Sequence, residues 1–153
     1  VSDLCGSYGE EVLDDVNVIV IPRINPDGSY LFTRATYQGF DMNRDHMALK
    51  APELAYLHTA YRYFMPEVVM DGHEFTFYGV TKDGYMKNAD DMQSTPASSL
   101  NNDPLVNQLA EEAVDGLHKN AADSGLRIYH YGTTVNNPIG RAYYGLYNSI
   151  SIL

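Results

Sequence analysis

Three short stretches of this chain carry side chains able to do chemistry. Asp71-Gly72-His73-Glu74 sets an imidazole among carboxylates. A histidine there can ligate a metal or carry a proton, and a neighbouring carboxylate would orient it. Asp41-Met42-Asn43-Arg44-Asp45 puts an amide beside a guanidinium. A guanidinium offers a planar fork matched to a carboxylate, and the amide adds a further donor. Asn25-Pro26-Asp27-Gly28 has strong turn chemistry, Pro presetting φ and Gly tolerating positive φ. Taken singly, each has a plain reading: a turn is mostly a turn, and a histidine after a strand is more often structural than ligating.

The elements that must position these groups follow from periodicity. Val16 to Ile21 is β-branched and almost wholly apolar, which predicts a strand buried on both faces. The Asn-Pro-Asp-Gly turn ends it, and a polar loop runs through Arg34 and Gly39 to the Asp41–Asp45 block. Pro52-Glu53 opens a helix to about Phe64, with Leu54, Leu57, Tyr61 and Phe64 at three- and four-residue spacing. Glu67 to Asp71 reads as a short buried strand leading into His73. Residues 76–102 are polar and aperiodic and read as a long loop. Asp103-Pro104 then caps a helix to about Ser124, its apolar stripe formed by Leu105, Leu109, Ala113 and Leu117, and Gly125 ends it. Leu126 to Tyr131 and Asn148 to Leu153 read as strands, separated by a Gly/Asn/Pro loop. Strands alternating with helices predict an α/β fold with a largely parallel sheet, whose functional groups gather at the carboxyl edge.

Composition narrows the function. The chain has 153 residues, enough for one domain with a sizeable core, and 44% of them are hydrophobic. A net charge of −10 repels phosphate backbones and anionic lipid heads, which disfavours nucleic acid and membrane surfaces as partners. No apolar run approaches the roughly 20 residues of a membrane helix. A lone Cys5 excludes an internal disulfide framework and a multi-cysteine metal site.

In combination the motifs become specific. A strand ending Pro22 to Gly28, then Arg34, then Asp41 to Arg44, an acidic helix start at Glu53, and strand-Asp71-x-His73 resembles the zinc metallocarboxypeptidases, the relatives of carboxypeptidase A. The likeness runs from Val16 through the final strand. It implies a partial fold of that type, a mostly parallel mixed sheet flanked by helices, and a peptide substrate with a free C-terminus. Asn43 and Arg44 match the pair that holds the substrate carboxylate. Arg34 resembles the arginine that stabilises the developing oxyanion, at a shorter spacing from the turn than in carboxypeptidase A. Asp41 matches a carboxylate that orients a ligating histidine. His73 matches the third zinc ligand. Tyr143, with Tyr144 beside it, is the nearest counterpart of the tyrosine that covers the substrate. Arg141 reads equally as a specificity contact or a surface charge.

Two departures accompany the likeness. The family draws its other zinc ligands from a His-x-x-Glu ahead of the Val16 strand, and residues 1–15 contain no His. Its general-base Glu ends the strand that Ser149 to Leu153 resembles, and no Glu follows here. The expectation is therefore a single incomplete catalytic domain spanning residues 1–153, inactive alone. A zinc centre needs about three protein ligands and an open position, and one imidazole cannot supply them. Two alternatives share these motifs: a zinc deacylase of the desuccinylase and aspartoacylase type, and a non-catalytic module that binds peptide C-termini. The complete Asn-Pro-Asp-Gly turn favours the peptidase. Relatives of this family are commonly exported, which leans the compartment toward secretion or the periplasm; oligomeric state has no sequence signature here. His46, His58, His118 and His130 show no two-histidine metal spacing and read as packing or surface residues. Glu111-Glu112 and Asp90-Asp91 read as solvated faces.

Overall fold

The computed structural model describes residues 2–74, 91–97, 99–130 and 139–153. Most of the expected 76–102 loop, Asp90, the end of the strand reading at Tyr131 and the loop from Val135 lie outside them. A short 3₁₀ turn, Ser2–Cys5, leads into α1, Ser7–Asp15. Then come α2 (Pro26–Leu31), a 3₁₀ turn at Met42–Arg44, α3 (Pro52–Phe64) and β1 (Val68–Met70). They are followed by β2 (Met92–Ser94), α4 (Pro104–Asp123), β3 (Ile128–His130), α5 (Gly140–Leu146) and β4 (Ile150–Ile152). The architecture is α/β.

β1 pairs with β4 in parallel, Val68 opposite Ile150 and Met70 opposite Ile152. β2 pairs with β3 in parallel, Met92 opposite Ile128. The chain just beyond β2 runs antiparallel along β4: Thr95 and Leu153 exchange backbone bonds of 3.3 and 2.9 Å, and Ala97 N–H donates to the Ser151 carbonyl at 2.8 Å. Two parallel pairs, β1 with β4 and β2 with β3, are thus linked by an antiparallel bridge between Pro96 and Ile152.

Several elements depart from the sequence reading. Residues 16–21 are extended but form no strand, and the β-branched side chains there stay 44–49% exposed. Strand identity requires a partner for the backbone N–H and C=O groups, and apolar β-branched composition alone does not supply one. A cavity of about 840 Å³ separates the segment from β1 and α3, lined by Val18, Leu57, Val68 and Met70 among others. β1 is correspondingly more exposed than a buried strand would be. Asn25-Pro26-Asp27-Gly28 is the start of α2 and not a terminating turn. The residues that favour a type I turn have near-helical φ/ψ, and with Asn25 as cap (Oδ1 accepting from Gly28 N–H at 2.9 Å) and Pro26 at the first position the turn propagates.

α3 spans the expected residues, but its inward stripe is Leu54, His58 and Tyr61. α4 also has the expected bounds, yet it buries Val106, Ala110, Val114 and Ala121 and leaves Leu105 59% exposed. Both stripes repeat every four residues and lie about 100° apart on the helix; the smaller side chains take the face that approaches β4. α5 replaces the expected loop. Its residues Gly140 through Gly145 are all buried, which suits a short helix enclosed on every side. Gly125, at φ 81°, terminates α4 as expected.

Candidate active site

Three segments converge at the carboxyl end of β1. The Asn25 amide, which caps α2, also donates to the Arg34 carbonyl at 3.1 Å and so holds that stretch of loop. Arg34 Nε donates to Asp41 Oδ2 at 2.9 Å, across an exposed pair with little intrinsic stability of its own. The other Asp41 oxygen accepts the Asn43 backbone N–H at 3.0 Å and caps the 3₁₀ turn. Asn43 is held from two sides. Its Oδ1 accepts the Gly140 N–H of α5 at 2.8 Å, which fixes the amide so that Nδ2 lies 3.2 Å from His73 Nε2. The same His73 nitrogen lies 3.2 Å from Asp71 Oδ2. One ring nitrogen serves one of these at a time: it accepts from the Asn43 amide when unprotonated and donates to Asp71 when protonated.

Arg34, Asp41, Asn43 and His73 therefore form one hydrogen-bonded run. Arg44 adjoins it, with an exposed side chain whose Nη1 donates to the Asn43 carbonyl at 2.8 Å. Tyr143 lies elsewhere. Its ring stacks on His58 at 3.9 Å between centroids and packs edge-on to Tyr61, and burial pushes its hydroxyl up to about 12. Tyr144 is buried beside it, its hydroxyl also raised by burial and then by the Asp71 charge. Arg141 is 4% exposed, so the surface-charge reading does not hold.

The sequence reading missed a second pair of groups behind this run. His46 and His58 are 6% and 1% exposed, and His46 Nδ1 lies 2.9 Å from His58 Nε2. Burial lowers both pKa values. In His46 the nearby Asp71 and Asp45 charges oppose the shift, whereas His46 and Arg62 reinforce it in His58, which falls to about 4. A signal existed for His58, which sits between Leu54 and Tyr61 on the α3 stripe. His118, on α4, bonds the buried Ser94 hydroxyl and lies edge-on to His130.

A catalytic zinc ion takes about three protein donors. Among the described residues no three His, Cys, Asp or Glu side chains converge in that way. His73 with Asp71 beside it does not by itself fit such a centre.

No family model matches the chain, and no solved structure matches it. Curated relatives do. The chain is 33% identical over 130 residues to carboxypeptidase 2 of Trichophyton rubrum, an alignment covering 82% of this chain and 24% of that protein. It is 32% identical over 130 residues to the probable carboxypeptidase 2 of Trichophyton verrucosum, covering 82% of this chain and 25% of the relative. Carboxypeptidase 2 of Trichophyton equinum gives 32% identity over the same length, 82% of this chain and 24% of the relative. The chain spans about a quarter of the length of the curated relatives it matches. This similarity supports a carboxypeptidase family for the chain.

Proposed function

We propose that the whole protein is a metallocarboxypeptidase that removes C-terminal residues from peptides, and that this chain carries its carboxylate-anchoring residues. The carrying observation is the bonded run from Arg34 through Asp41 and Asn43 to His73, with the Arg44 guanidinium exposed at its side. In this reading Arg44 receives the substrate's terminal carboxylate through paired N–H donors, and the Asn43 amide adds a third. Asp41 restrains Arg34 through Nε, and the four remaining guanidinium protons are the donors for the scissile carbonyl as negative charge develops on it. In the same reading His73 would be the one imidazole that this chain offers to a zinc centre, as the family resemblance implies. The chain alone, with one such imidazole, is inactive.

The test is an assay of the whole protein on N-blocked dipeptides with free and with amidated C-termini, beside N-acyl amino acids. Chelator-sensitive cleavage restricted to free C-termini supports the proposal. Turnover of N-acyl amino acids without peptide cleavage would transfer the assignment to a deacylase. Chelator-sensitive turnover by the isolated 153-residue chain would contradict the inactivity proposed for it.

A further inference from the structure

Ser149 stands immediately ahead of β4 and is 2% exposed. Its hydroxyl donates to the Pro66 carbonyl, just before β1, at 2.7 Å. Its backbone N–H donates to the Tyr144 carbonyl of α5 at 3.2 Å. The Tyr61 hydroxyl of α3, itself buried, lies 2.7 Å from the same Ser149 oxygen. A carbonyl only accepts, so the single Ser149 hydroxyl proton goes to Pro66 and Tyr61 is the donor in the third bond. Donors thus run in one direction, Tyr61 to Ser149 to Pro66, and one residue joins α3, α5 and the entry to β1.

Both halves of the candidate site hang from these elements. The Gly140 N–H, at the start of α5, holds the Asn43 amide at 2.8 Å. His73 follows the carboxyl end of β1 and meets that amide at 3.2 Å. The register of β1 against β4 therefore decides whether the two stay together. Apolar burial sets that register weakly. β1 has three residues, of which Val68 and Met70 are 56% and 68% exposed, and only Val69 packs on the tyrosine cluster. A strand without a well-buried face is prone to slip. A slip of one residue would carry His73 about 3.3 Å along the strand, as far as its whole distance from the Asn43 amide. The same slip would take the Pro66 carbonyl away from a buried hydroxyl, and an unmade buried bond is costly.

We propose that Ser149 is a positioning residue: its hydroxyl, held by Tyr61, pins the entry to β1 at Pro66 and so keeps His73 opposite the Asn43 amide. It acts through the strand backbone. The proposal rests on the reading of Asn43 and His73 as site residues.

¹H–¹⁵N spectra of the 153-residue chain, read at the His73 ring and the Asn43 side-chain amide, test it directly. In the unsubstituted chain the Ser149 hydroxyl proton should exchange slowly enough to be seen, with a nuclear Overhauser contact to Pro66. A hydroxyl proton lost to rapid exchange with water would overturn the proposal. Ser149→Ala removes the pin and should displace both the His73 and the Asn43 signals; unchanged signals would overturn it. That variant also orphans the buried Tyr61 hydroxyl. Tyr61→Phe/Ser149→Ala removes the orphan as well, and the displacement should persist. Signals restored to wild-type positions in the double variant would overturn the proposal, because the orphaned hydroxyl and not the lost pin would then be the cause. In the whole protein Ser149→Ala should lower kcat/KM on free-acid peptides about tenfold, and an unchanged value would overturn the positioning role. Absence of peptidase activity in the wild-type whole protein would count against the functional reading alone, while the spectra would still decide the role of Ser149.

Discussion

Two glycines flank the candidate site, and the same substitution should act on them in opposite directions. A Cβ at Gly140 would sit 2.6 Å from Asp71 Oδ2 and 3.2–3.3 Å from the His46 ring, whereas one at Gly72 meets nothing within 4 Å. Contact between such atoms is favourable only from about 3.5 Å outward, so Gly140→Ala requires movement of about 1 Å. His46 is pinned by His58, and the Asp71 backbone is pinned by its 2.8 Å bond to the Ile152 carbonyl, which leaves the Asp71 carboxylate to rotate. Overpacking of this kind costs about 1–3 kcal/mol, and the helix propensity of Ala returns up to about 1 kcal/mol of it. A net loss of about 1–2 kcal/mol corresponds to a melting temperature lower by about 3–6 °C in a domain of this size. Gly72→Ala should be neutral or should stabilise by up to about 1 kcal/mol through a less flexible unfolded chain. Thermal unfolding of both variants followed by circular dichroism gives the comparison. Equal melting temperatures for the two would refute the packing argument around Gly140.

Other outcomes follow from individual groups. His58 falls to about 4 when folded, while its unfolded value is 6.5, so the unfolded chain binds more protons between those limits. Its contribution is complete above about pH 6.5 and is lost as pH falls toward 4, by up to about 3 kcal/mol. Denaturant titrations should show that slope in the wild type and a shallower one in His58→Gln; identical slopes would contradict the burial of a neutral His58. Gly116→Ala, in the interior of α4 with open space around it, should stabilise by about 0.5–1 kcal/mol in urea unfolding. Asp103→Ala removes the 2.8 Å bond to the Leu105 N–H at the start of α4 and should cost about 1 kcal/mol in the same assay.

Local signals carried the helices and left the sheet underdetermined. Pro52 and Asp103-Pro104 announce helix starts through chemistry that acts within one turn, and α3 and α4 begin there. The faces of those helices depend on what packs against them, so the α4 stripe at Val106 and Ala110 could not be separated from its neighbour at Leu105 and Leu109. The segment Val16–Ile21 has the composition of a central strand, yet strand formation is a pairing event, and composition does not name the partner. At the site, Asn43 and His73 were legible because amide, guanidinium and imidazole stand close together in recognisable blocks. The His46–His58 pair was not: the helical spacing of Leu54, His58 and Tyr61 marked His58 as a core position, but the contact spans twelve residues and nothing local named His46 as its partner. Tyr143 was legible as an aromatic near the last strand, but its place in the core depends on α5, which glycines and a proline disguised as a loop.

The claim at the centre is that the exposed Arg44 guanidinium beside Asn43 receives a peptide's terminal carboxylate. The direct measurement is kcat/KM of the whole protein and its Arg44→Ala variant on matched peptides with free and amidated C-termini. Loss of a charge-assisted bond of about 2–3 kcal/mol should lower kcat/KM on the free acids by about 30- to 150-fold and leave the amides nearly unaffected. An unaltered preference for free acids in Arg44→Ala would contradict the account.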